Sequence, residues 1–505
     1  MSRSRFIRTV LTVAAAASAF SIMGCTGSNS ILAGRPQPPS QIRQRVLVAI
    51  QNPSPIATGA LQIVDARYDI RNSENGKIPT FFISGYKGSL PSLILNYPEQ
   101  SAGYVYGSGD GSLVPVNYGT EQISGAISGL AGTSSSVFVT QDGRYAFAAN
   151  QSSQYLTVID NVTPAVVQLN LPNVYKVAVN PSGTVALAFV QNSNYAYRVI
   201  HLQQPNGTVA PVPTFPNEAN WPVAVSPVDC QPVNLPIYCV VPVLDQNGNP
   251  IAFNRPYNTI FSSDGTTAWL MNCGVECGNS AVDPVTGVTG ASVSFLNPGP
   301  LNIYNFPGST YPSPPPATPQ PTETRRVSVP GGATMAVYGN GILYVSGQQL
   351  QKDGLLEGFL SVVNLTSNTV TATYPISDGT HTKMLLGDDN TLWIGSQLCQ
   401  TGERTAMNLV NGCLTFFNIN TKSVLVEPWY GDLTGLCAII DWHKMYTAYG
   451  GQLHIYATTN TGITSTGGPL APGYSAGSEI SNANVTVQGT AFDVAYMDAP
   501  SNAAD

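Results

Sequence analysis

The chain has 505 residues, with 21 Lys+Arg against 28 Asp+Glu, a formal net charge of −7 and only 10% charged residues. An acidic chain with no Lys/Arg stripe argues against a nucleic-acid partner. Hydrophobic residues at 43% argue against disorder, and 48 Gly with 39 Pro predict a fold rich in turns.

The chain opens with a basic stretch of Arg3, Arg5 and Arg8, followed by an uncharged, mostly apolar run from Thr9 to Met23. A run of that length suits a signal-peptide core and is short of the roughly 20 residues that span a membrane. It ends at Ile22-Met23-Gly24-Cys25, which resembles the lipobox of bacterial lipoproteins. The resemblance implies cleavage before Cys25 and acylation of its thiol and new amine. On that reading residues 1–24 are a signal peptide and 25–41 a flexible tether, and the chain is held to a membrane by its N-terminal lipid. Thr26, standing where Asp would retain a lipoprotein at the inner membrane, implies the outer membrane. An alternative stays open: Ala17-Ser18-Ala19 fits an ordinary cleavage site, giving a secreted or periplasmic chain. Removing residues 1–24 takes Lys+Arg from 21 to 18 against 28 Asp+Glu, a net charge of about −10.

From residue 42 to about 500 the sequence predicts a single all-β domain. Short runs of Val, Ile, Leu, Tyr and Phe alternate with Gly, Asn, Asp, Ser and Pro, and no long 3.6-residue periodicity intervenes. Val46–Ile50 and Leu61–Ala66 are the first candidate strands. Gly107-Ser-Gly-Asp-Gly111 lacks a following helix or Lys and reads as a turn, not a phosphate loop.

The clearest repeat lies at 137–202. Gly143 and Gly183 occupy equivalent turns 40 residues apart, each flanked by strands. Units of 40–45 residues with several strands are the propeller period. Tyr145-Ala-Phe-Ala-Ala-Asn150, Leu156-Thr-Val-Ile-Asp160 and Val177-Ala-Val-Asn-Pro-Ser-Gly183 resemble the YVTN family of β-propeller repeats. Ile342–Ser346, Ser361–Asn364 and Leu414–Asn418 echo the same strands. The turns Ser263-Asp-Gly265, Gly387-Asp-Asp-Asn390 and Asp441-Trp-His-Lys444 each precede a further apolar strand.

The resemblance implies a single propeller of about seven four-stranded blades, with six or eight also compatible. Blades are expected near 79–130, 131–173, 174–221, 222–300, 327–380, 381–434 and 435–478. Val46–Ile50 with Leu61–Ala66 are expected to meet Val485–Tyr496 and close the ring. Pro-rich inserts near 203–256 and 297–326, including Tyr311–Pro321, read as long surface loops between blades.

Excluding Cys25, seven cysteines remain. Local spacing suggests disulfides Cys230–Cys239, Cys273–Cys277 and Cys399–Cys413, with Cys437 left over, as an oxidising compartment allows. A metal site at Cys273-Gly-Val-Glu-Cys277 is the alternative, weakened by the lack of a second such pair or a nearby His. The four histidines, His201, His381, His443 and His454, show no catalytic or metal spacing, and no HExxH, G-x-S-x-G or Walker loop occurs. Asp142, Asp264, Asp388 and Asp389 read as turn residues rather than calcium ligands. No catalytic, cofactor or metal residue is therefore assigned.

The leading expectation is a non-enzymatic binding or scaffold module of the cell envelope, with an unknown protein, peptide or glycan partner. The 24 Tyr and five Trp could line such a surface. The alternative is a propeller enzyme, lactonase- or dehydrogenase-like, with its site in the axial channel. Convergence of His381, Glu403 and Asp441, or a comparable polar set, at the channel mouth would favour the enzyme.

Overall fold

A computed structural model describes residues 38–42, 44–67, 69, 81–97, 101–127, 130, 132–161, 165–180, 183–202, 229–231, 238–245, 249–277, 290–297, 322–351, 356–399, 411–427, 430–439, 443–458, 479–480 and 485–498. These residues form eight antiparallel sheets that follow one another along the chain. The ring therefore has eight blades where seven were expected. The terminal strands account for the difference. Thr490–Tyr496 pairs with Arg45–Ser54, and the sheet continues through Ala57–Asp65 and Phe81–Phe82. That sheet is a full blade of its own, here blade one, with its innermost strand supplied by the far end of the chain.

Blade two runs from Pro91 to Ile123 and blade three from Ser136 to Asn170. Blade four starts at Val174 and has five strands, ending with Tyr238–Pro242 and Asp229–Gln231. Blade five runs from Pro256 to Val329, blade six from Gly332 to Ile376, blade seven from Thr380 to Glu427 and blade eight from Leu433 to Ala457. The segment 203–256 is thus not wholly an insert, because two of its stretches are strands of blade four and Pro256 opens blade five. The segment 297–326 lies inside blade five, between Ala291–Asn297 and its partner Thr322–Val329. A hairpin tolerates a long connection there because its closure entropy grows only slowly with length.

The second strands of the blades bury both faces, and the side-chain alternation of a strand explains how. Leu343 and Val345 of one strand join the core between blades five and six, while Tyr344 between them joins the core between six and seven. Leu392 and Ile394 face the gap between six and seven, and Trp393 faces that between seven and eight. Eight hydrophobic clusters result, one in each gap of the ring. Radial stacking covers sheet faces that a lone blade would expose.

The turns between first and second strands repeat one device. Asp142 accepts hydrogen bonds from Thr140 Oγ1 and Arg144 N, and Asp264 accepts them from Ser262 Oγ and Thr266 N. Asn180 fills the same role for Thr184 N and Val185 N. Gly143 and Gly183 sit at φ +68° and +67°, the left-handed region that glycine enters without Cβ strain. Asp389 likewise accepts from Thr391 N and Oγ1, and Asp388 is bonded to His443 Nδ1.

Candidate ligand site at the channel mouth

The innermost strands contact one another around most of the ring, from blade three through blade eight to blades one and two. They enclose an axis, and each enters it from the same face. That face carries the crossings between blades and the loops joining second to third strands; it is called here the connection face.

Seven inner strands have a register shift close to their start. Such bulges re-aim side chains. The residues just past the shift are therefore structural equivalents: Leu93, Lys176, Asn258, Met335, Lys383, Gly435 and Asp493. Ser136 is their counterpart in blade three, where Ser135 and Ser136 both face Ala149. Around this ring of positions stand two lysines and one aspartate.

Lys383 of blade seven and Asp493 of blade one meet across blade eight, Nζ to Oδ1, at 3.2 Å. They meet because the blade-eight position is Gly435. A Cβ there would lie 2.9 Å from Asp493 Oδ1 and from its Cα. The other carboxylate oxygen of Asp493 accepts the Ile94 amide at 2.7 Å, so the aspartate is held on both sides.

Lys176 of blade four has no such partner: among the described residues no carboxylate or hydrogen-bond acceptor meets its ammonium. Its Nζ lies 5.5 Å from the centre of the Tyr257 ring of blade five. Burial alone pulls its pKa down to about 8. The Tyr257 ring packs at 5.6 Å against Tyr175, whose hydroxyl donates to the carbonyls of Pro256 and Tyr257. Arg255, just before that strand, is buried, and its Nε has no hydrogen-bond partner.

The sequence singled out other residues. His381 lies on an inner strand but is buried, with Nε2 against the Ser377 carbonyl at 2.9 Å. Glu403 and Asp441 lie outside the described residues, as do Cys25, Trp221, Trp429, Trp442 and residues 311–321. His201 is buried between blades three and four, stacked on Tyr238 at 4.5 Å. His454 bonds Glu479 at 2.7 Å, with Tyr430 stacked on its ring at 3.8 Å. Trp269 and Trp393 are core residues.

Cys230–Cys239, Cys273–Cys277 and Cys399–Cys413 are disulfides, and Cys437 is buried outside them. Cys273 and Cys277 are thus cross-linked to each other rather than arranged as metal ligands. Cys230 and Cys239 are directly opposed across two strands of blade four. The other two brace loops of the connection face in blades five and seven. Such pairing fits an oxidising, extracytoplasmic compartment.

Nothing in the residue pattern points to Lys176, Lys383, Gly435 or Asp493 as a group. The signal that unites them is the bulge, and its residues vary from Ser92 to Tyr175, Tyr257, Thr334, Thr382, Thr434 and Phe492.

No family model and no curated protein matches the chain. Solved structures resemble it at low identity. The periplasmic gluconolactonase of Pseudomonas aeruginosa is 15% identical, with 90% of this chain and 98% of that one covered and a TM-score of 0.40. AztD from Citrobacter koseri, in its apo form, is 9% identical over 90% and 97%, with a TM-score of 0.43. A dihydro-heme d1 dehydrogenase is 12% identical over 90% and 78%, with a TM-score of 0.45. At this degree of likeness nothing is carried over to the chain, whose propeller architecture rests on its own eight sheets.

Proposed function

We propose that this chain is a non-enzymatic binding module of the cell envelope, tethered by a lipid on Cys25, that takes its ligand at the connection face and channel mouth. The observation that carries the reading is the state of the polar groups around the channel. Lys383 and Asp493 neutralise each other, and each of the four histidines is already bonded to or stacked on a neighbouring residue. Among the described residues, what is left over there is cationic charge beside aromatic rings, which is recognition chemistry rather than an acid–base or nucleophile–base pair.

The mature chain, immobilised and exposed to envelope extracts, is expected to retain a ligand that is released unchanged. Retention of nothing, or release of a chemically altered compound, contradicts the reading and favours the propeller enzyme. The tether has its own test. Intact-mass measurement of the mature chain should show acyl chains on a protein beginning at Cys25, and Cys25→Ser should abolish both cleavage there and acylation. An unmodified mature chain starting at Phe20 contradicts the lipid.

A further inference from the structure

We propose that Lys176 anchors the carboxylate of a small organic anion at the channel mouth, with the body of that ligand lying against the Tyr257 ring. The inference deepens the binding reading above and rests on it.

Four observations converge. Lys176 is only partly exposed and, among the described residues, has no counter-charge. Lys383, its register equivalent three blades on, shows what that position does when an acid is in reach: it pairs with Asp493. At the seam of blades four and five none of the described residues supplies such an acid, although the chain carries seven more acidic than basic residues. Arg255, at the head of the neighbouring strand, repeats the imbalance: it is 8% exposed, and its buried Nε has no partner.

Leaving a half-buried cation uncompensated is unfavourable unless something outside the chain completes it. A carboxylate fits better than a phosphate. Phosphate sites gather several convergent donors or a nest of backbone amides. Here one ammonium stands beside an aromatic face, with the Tyr175 hydroxyl already committed to carbonyls. A ring edge or a sugar face would bury apolar area on Tyr257 while its acid group meets Lys176. Burial depresses the basicity of this lysine, and an anion at the site would relieve that.

The test is calorimetric titration of the mature wild-type chain with glucuronate, benzoate and inorganic phosphate at pH 7. Both carboxylates are expected to bind, and phosphate to bind more weakly. Lys176→Met should weaken the carboxylates by about tenfold or more, the worth of one charge-assisted hydrogen bond. Lys176→Arg should keep most of the affinity, and Tyr257→Leu should lose about fivefold while leaving the charge in place. Lys176→Met should melt no lower than wild type, since it removes a half-buried charge with no counter-charge among the described residues, so a loss of binding cannot be laid to unfolding.

Phosphate binding tighter than either carboxylate overturns the ligand class. Unchanged binding in Lys176→Met, or no binding of any probe by wild type, overturns the site. If wild type nonetheless retains an envelope ligand and Lys176→Met retains it equally, the anion site fails while the binding module stands. If wild type retains nothing, the broader reading fails with it.

Discussion

Replacing Arg45 with methionine is expected to destabilise the protein by about 3–5 kcal/mol, the range for breaking a buried ion pair by removing one partner. Arg45 is 4% exposed and sits where the two ends of the chain meet. Its guanidinium donates to Asp498 Oδ1 at 2.7 Å and Oδ2 at 3.2 Å, and its backbone amide donates to the same carboxylate at 2.8 Å. Its Nη1 reaches Glu121 of blade two at 2.9 Å and the Tyr118 carbonyl at 2.5 Å. Ser40 then donates to both oxygens of Glu121, from its amide and its hydroxyl. Methionine would leave two buried carboxylates facing each other with no cation. Urea denaturation should show a lower midpoint, and Arg45→Met combined with Glu121→Gln and Asp498→Asn should recover part of the loss. A midpoint within about 0.5 kcal/mol of wild type, the range of ordinary surface substitutions, would show that this clasp does not hold the closing blade.

Acid should weaken the fold well before the carboxylates titrate. His201 and His381 are 1% and 2% exposed, and burial lowers both pKa values from 6.5 to about 4. For His201 the nearby Asp160 opposes the shift and Arg144 adds to it; for His381 the Ser377 carbonyl opposes it. The folded-state value lies below the unfolded one, so the unfolded chain binds the proton first. The stability from keeping each ring neutral is complete above about pH 6.5 and is lost as pH falls toward 4. Integrated over that window, each histidine contributes about 3 kcal/mol. Urea midpoints measured from pH 7 to 4.5 should fall steeply, and His381→Gln should flatten the slope by about one proton. An equal slope in wild type and variant would mean that His381 is not held neutral.

Much of the blade architecture was legible because strand alternation and turn chemistry repeat. The Gly143 and Gly183 turns have nearly identical φ, and Tyr145–Asn150, Ile342–Leu350 and Lys444–Tyr449 are second strands of their blades. Blade one was harder to see because it is split between the two ends of the domain. Val46 and Tyr496 are paired neighbours separated by nearly the whole chain, and no local period links them. The boundary of blade four was obscured by Pro residues, which signal loops although Tyr238–Pro242 is a strand. Cysteine spacing did carry through to three cross-links. The candidate site was illegible for a geometric reason. Lys176, Lys383 and Asp493 share a level of the channel only through bulges and ring closure, and neither leaves a fixed residue type in the sequence.

The proposed ligand site lies at the channel mouth of an eight-bladed ring. A crystal structure of the mature chain with its retained ligand, or with benzoate, tests this most directly. The expected result is eight blades, Thr490–Tyr496 hydrogen-bonded to Arg45–Ser54, and a carboxylate within hydrogen-bond reach of Lys176 Nζ with its body over Tyr257. A ring of seven blades, or a ligand seated elsewhere with Lys176 unoccupied, would contradict it.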